Sequence, residues 1–108
     1  MKAKIWNVRY WTSATDERML DHELGQALEK SKFKILGAID NQFKPFGYTK
    51  IWLLGESHLA VHTFPEEGKS YVELSSCIKS KFDNFIKEIY RSEIIKPEAP
   101  AIEITSEV

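Results

Sequence analysis

The chain holds one cysteine, five glycines and four prolines in 108 residues, and each scarcity removes a class of explanation. A single cysteine cannot close an internal disulfide, so the fold has to rest on packing, and a free thiol suits a reducing compartment. There is no glycine-rich loop to cradle a phosphate. The formal net charge is −1, which gives no electrostatic case for nucleic acid or an anionic membrane. No apolar run approaches the length that spans a bilayer. Charges interrupt the apolar residues of the opening Met1-Lys-Ala-Lys-Ile-Trp, unlike a signal peptide, so a cytoplasmic location is expected. Metal chemistry also lacks its pattern, because His58 and His62 stand four apart on an extended stretch with no third ligand at matching spacing. No internal repeat or low-complexity segment is present.

What the chain does have is apolar material, 43% hydrophobic and 12% aromatic. That suffices for one domain over residues 1–108, of a size that often gains from dimerising. Residues 4–11 are aromatic and β-branched, which predicts a first strand. Thr12 to Asp16 supply capping chemistry, and Met19, Leu20, Leu24, Ala27 and Leu28 recur at three- and four-residue spacing, predicting an amphipathic helix over 16–31. Phe33, Ile35 and Ile39 begin a second strand reaching about Phe43. After the Pro45–Gly47 break, 48–54 reads as a third strand, nearly continuous in apolar character at its end and therefore central. Leu59, Val61 and Thr63 alternate with Ala60, His62 and Phe64, and Tyr71, Val72 and Leu74 form another strand beyond the turn Pro65-Glu66-Glu67-Gly68. Phe82, Phe85, Ile86, Ile89 and Tyr90 predict a second helix over about 79–92. Ile102 and Ile104 either add an edge strand or belong to a loose tail.

The order β-α-β-β-β-β-α, with connections too short for crossovers, predicts an α+β two-layer sandwich. An antiparallel sheet carries both helices on one face. Its aromatic-rich free face is then a surface for a second copy, making a homodimer.

The hairpin from Gly55 to Cys77 brings together Ser57, His58, His62, the turn glutamates Glu66 and Glu67, and the only cysteine. Singly each has an ordinary explanation: a hydrogen-bonded histidine, a buried small thiol, solvated turn carboxylates. Together, Glu56-Ser57-His58-Leu59, His62-Thr63-Phe64-Pro65-Glu66 and Cys77 resemble the prokaryotic S-adenosylmethionine decarboxylase proenzymes, pyruvoyl enzymes of polyamine synthesis. Upstream, Phe43-Lys-Pro45-Phe-Gly47-Tyr-Thr49 fits the family's Phe-x-Pro-x-Gly-x-Ser without a gap. The chain departs from the family at Asn41, Lys50, Phe64 and Ile78.

The resemblance implies self-cleavage between Glu56 and Ser57, giving chains 1–56 and 57–108. Ser57 would attack the Glu56 carbonyl with Thr49 assisting, and His62 would remove the Ser57 α-proton as general base. Ser57 would thereby become a covalent pyruvoyl group, an electron sink that holds the substrate as a Schiff base. Cys77 would return a proton to carbon. Phe43 would stack on the adenine of the small-molecule substrate and Glu66 would accept from its ribose hydroxyls. Lys50, next to Thr49, is a cation expected near a site meant for a sulfonium, and raises the alternative of a pyruvoyl decarboxylase for ornithine or arginine. Phe43 and Glu66 favour S-adenosylmethionine. A non-catalytic partner subunit would have no reason to keep Ser57, His62 and Cys77 together. The resemblance therefore points to a carboxy-lyase supplying the aminopropyl donor for spermidine.

Overall fold

The computed structural model describes residues 2–108. Six strands and two helices follow in the order β1 (Lys4–Thr12), α1 (Glu17–Lys30), β2 (Ile35–Gln42), β3 (Tyr48–Leu54), β4 (Ser57–Phe64), β5 (Lys69–Ser76), α2 (Lys79–Arg91) and β6 (Ile102–Glu107). A 3₁₀ turn, Pro65–Glu67, joins β4 to β5. The strands form one sheet in the order β2-β3-β4-β5-β1-β6, and every neighbouring pair is antiparallel. This is the α+β arrangement that the alternation of patterns predicts, and the tail resolves as an edge strand on β1.

Local chemistry sets the elements. Asp16 caps α1 by accepting from the Met19 backbone N–H at 2.9 Å, meeting one of the free donors of the first turn. Leu20, Leu24, Ala27 and Leu28 form its buried stripe. At its end the Ser31 hydroxyl donates to the Ala27 carbonyl at 2.6 Å. Helix α2 buries Phe82, Phe85 and Ile89. Both stripes pack on one sheet face, where Val8, Tyr10, Tyr48, Trp52, Leu54, Leu59, Val61, Val72 and Leu74 are also buried. Leu59 is wholly enclosed, so Leu59→Ala would cost about 2–5 kcal/mol through lost transfer energy and the cavity left behind.

One detail differs from the sequence reading. Strand β2 begins at Ile35, because Phe33 instead turns into the core beneath the α1–β2 connection, where Lys32 takes a φ of 71°. All of β2 is exposed, as the outermost strand of the sheet.

Candidate active site

The alternation along β4 decides where its chemistry points. Ser57, Leu59, Val61 and Thr63 are buried, while His58, Ala60, His62 and Phe64 lie toward the opposite face, because successive side chains in a strand alternate. Ser57 and His62 are five residues apart, so their side chains leave opposite faces of the sheet. At about 3.3 Å per residue they are separated by about 16 Å along the strand. The fold therefore gathers the sequence-derived residues into two groups, one at each end of β4.

The first group surrounds the Glu56–Ser57 bond. Gly55 and Glu56 form the two-residue turn between β3 and β4, and Glu56 has a φ of 58°. A side chain in this left-handed region costs roughly 1–2 kcal/mol through its Cβ. The Glu56 carbonyl accepts from the Cys77 backbone N–H at 3.2 Å, which polarises its carbon. Ser57 pairs in register with Ser76, and its hydroxyl donates to Ser76 Oγ at 2.7 Å. Ser57 is only 8% exposed, whereas Cys77, just past the end of β5, is exposed. A cavity of about 190 Å³ opens here, lined by Ile5, Glu56, Ser57, His58, Ser75, Ser76 and Cys77.

The second group lies at the far end. His62 Nδ1 and Thr49 Oγ1 are 3.0 Å apart, across the β3–β4 register that pairs these residues. The imidazole also stacks on Tyr71, with ring centroids 6.4 Å apart and planes 28° from parallel. Phe43, Phe46, Gly47, Thr49, His62, Thr63, Phe64 and Glu66 line a cavity of about 320 Å³. Its wall is shaped by the 43–47 loop, closed by the Phe43 N–H donating to the Gly47 carbonyl at 2.8 Å. Gly47 has a φ of 116°, a conformation open to glycine alone. Phe64 packs at a tilt against Trp11, with ring centroids 5.7 Å apart.

Lys50 corrects the sequence reading. Adjacent residues on a strand point to opposite faces, so Lys50 turns away from Thr49 toward the helices. There it pairs with Asp21 of α1 and lies over the Trp52 ring, 4.6 Å from its centroid. It adds no cation to the His62 cavity. Sequence reasoning also missed Ser76 and Tyr71. The turn over 65–68 pairs Phe64 with Lys69, and counting back along the same register brings Ser57 opposite Ser76; that count was the available signal.

A part-buried polar cluster occupies the free face between the groups. Asn7 Nδ2 donates to Glu73 at 2.8 Å and to Ser75 Oγ at 2.9 Å, and the Tyr71 hydroxyl donates to Glu73 at 2.8 Å. Partial burial pulls the Glu73 pKa upward, but hydrogen bonds from Asn7 and Tyr71 with the charges of Arg9 and His58 outweigh it, leaving the carboxyl below its ordinary 4.5. Among the described residues no group of three or more His, Cys, Asp and Glu side chains could hold a metal ion, and no helix is long and apolar enough to cross a membrane.

Fold and site together define an α+β domain with a strained, polarised Xaa–Ser bond at one strand end and a hydroxyl–imidazole pair at the other. The profile of the S-adenosylmethionine decarboxylase family matches residues 6–98, and the chain belongs to that family. Its members are carboxy-lyases made as pyruvoyl-dependent proenzymes and serving spermidine biosynthesis. The S-adenosylmethionine decarboxylase proenzyme 2 of Bacillus cereus is 31% identical over 94 residues, covering 87% of this chain and 75% of that protein. The Brevibacillus brevis proenzyme is 33% identical over 93 residues, 86% of this chain and 68% of that one. The Prochlorococcus marinus proenzyme is 33% identical over 79 residues, covering 63% of its own length. In fold, the chain resembles the adenosylmethionine decarboxylase of Aquifex aeolicus with a TM-score of 0.75 at 19% identity, covering 97% of this chain and 89% of that one.

Proposed function

We propose that this chain cleaves itself between Glu56 and Ser57 and then decarboxylates S-adenosylmethionine as a homodimer, each site drawing on both subunits. The division of the site residues between the two ends of β4 carries this reading. With a two-fold axis running across the strands, the Ser57 end of one subunit meets the His62 end of the other, twice. The free face offers apolar surface for such contact, with Ile39 72% and Leu53 57% exposed. Cavity size agrees: about 190 Å³ at Ser57 admits only the reacting end of a nucleoside substrate, and about 320 Å³ beside Phe43 suits the remainder.

Self-cleavage begins with Ser57 Oγ adding to the Glu56 carbonyl carbon. The Cys77 N–H stabilises the oxyanion that develops, and the left-handed backbone at Glu56 raises the energy of the intact bond. The amide becomes an ester, with the hydroxyl proton ending on the Ser57 nitrogen. The Ser57 Cα–H bond, tetrahedrally opposed to a side chain on the helix side, leans toward the free face. The partner subunit's His62 approaches from there. In the tautomer whose Nδ1–H donates to Thr49, Nε2 is the base. Removing the α-proton expels the Glu56 carboxylate, and tautomerisation and hydrolysis of the remaining dehydroalanine release ammonia. The residues around Ser57 fit a pyruvoyl group, since the Ser76 hydroxyl and Cys77 face the cavity it would enter.

That group supplies the electron sink for loss of carbon dioxide. Cys77 gives the proton that replaces it on carbon. Phe43 stacks on the adenine and Glu66 accepts from the ribose hydroxyls. With Lys50 paired to Asp21 behind the sheet, no ammonium from that position opposes the sulfonium.

Coexpression of Ser57→Ala and His62→Ala chains tests the reading. Each alone stays uncut. Random pairing places about half of the His62→Ala chains beside an intact His62, so about half of them should be cleaved before residue 57, and labelled carbon dioxide should appear only in the mixture. A mixture that stays intact while the wild-type protein cuts would refute the shared site.

A further inference from the structure

We propose that Ser76 is a positioning residue for self-cleavage: its hydroxyl accepts the hydrogen bond of the Ser57 hydroxyl and so turns the Ser57 oxygen toward the Glu56 carbonyl. This rests on the self-cleavage reading and extends it to a residue that the resemblance does not assign. Ser76 is 1% exposed, and its hydroxyl has one proton and two lone pairs to place. One lone pair accepts from the Ile78 N–H at 3.0 Å. The proton is directed to the Ile78 carbonyl, at 3.4 Å. The remaining lone pair faces Ser57, which makes Ser57 the donor at 2.7 Å.

With its proton so directed, the Ser57 oxygen keeps its own lone pairs for attack, and among the described residues no hydrogen bond engages them. The next residue, Cys77, holds the carbonyl that is attacked. The consecutive positions 76 and 77 thus orient both nucleophile and electrophile, and both are fixed by the first turn leading into α2. The bond from Ser57 Oγ to the Glu56 carbon forms, the bond from that carbon to the Ser57 nitrogen breaks, and the proton passes from oxygen to nitrogen. Ser76 holds the nucleophile through its hydrogen bond and is unchanged at the end.

Full-length precursor of each variant should be followed by intact mass from the moment of purification. Ser76→Ala is expected to cut about 10²-fold more slowly than wild type, the scale of a misplaced nucleophile. Ser76→Thr and Ser76→Val bring equal bulk into the same buried place and differ in the hydroxyl. The threonine variant should cut at least tenfold faster than the valine variant, whatever either does to folding. Equal rates for that pair, or a wild-type rate in Ser76→Ala, overturn the role of Ser76 while leaving self-cleavage intact. If wild type itself never cuts, the self-cleavage reading falls first, and this one with it.

Discussion

Replacing Glu56 by glycine tests whether backbone strain is spent on cleavage. At a φ of 58° the glutamate carries roughly 1–2 kcal/mol that glycine would not. Glycine also gains freedom in the unfolded chain, worth roughly 0.5–1 kcal/mol against folding. The net expectation is a precursor more stable by up to about 1.5 kcal/mol, read from urea unfolding in an uncleavable Ser57→Ala background. If the strain is relieved as the amide becomes an ester, removing about 1 kcal/mol of it slows self-cleavage about fivefold, since 1.36 kcal/mol is tenfold in rate. Asparagine tolerates the left-handed region better than glutamate, so Glu56→Asn should fall between. The assay is an intact-mass time course for the three proteins. A glycine variant that is more stable yet cuts as fast as wild type would show that the turn's strain is idle.

Two further expectations concern stability. The Tyr10 hydroxyl is buried with no hydrogen-bond partner among the described residues, and burial, with Tyr90 nearby, pushes its pKa far above the ordinary phenol value. Tyr10→Phe removes an unsatisfied group and should stabilise by about 1 kcal/mol, or about 4 °C in Tm; an unchanged or lower Tm in calorimetry means the hydroxyl is satisfied in solution. Glu73, whose folded pKa lies below its ordinary 4.5, stabilises fully above that value and loses its contribution as pH falls through the folded one. Urea midpoints measured across about pH 6 to pH 3 should decline more steeply for wild type than for Glu73→Gln, and parallel curves would refute the assignment.

Much of this was legible because hydrophobic period governs where a segment can bury itself. Leu20, Leu24 and Leu28, and Phe82, Phe85 and Ile89, are both the helical stripes of the sequence and the core of the fold. The start of β2 was not, because Phe33 is as good a strand residue as a core plug and only the left-handed Lys32 decides between them. At the site, residue type and spacing marked Ser57, His62 and Cys77, but reading them as one cluster overlooked the period of two. Five positions along a strand put Ser57 and His62 on opposite faces, and one position does the same to Thr49 and Lys50. The polarising Cys77 N–H left no trace in residue type, since any residue but proline there could supply it.

The strand order has a consequence for the protein after cleavage. A cut before Ser57 leaves β1, β2 and β3 on one fragment and β4, β5 and β6 on the other. Because β1 lies between β5 and β6, the first fragment threads its own strand into the sheet of the second. The pieces meet along β3–β4, β5–β1 and β1–β6, so they cannot part by sliding along a single seam. Separation requires stripping β1 from both neighbours, which amounts to unfolding. Such a cut would turn a single-chain folding problem into a two-body assembly whose recovery after heat depends on concentration. The uncut precursor should renature from denaturant at any dilution, whereas the mature enzyme would be held together by a topology it could not readily rebuild.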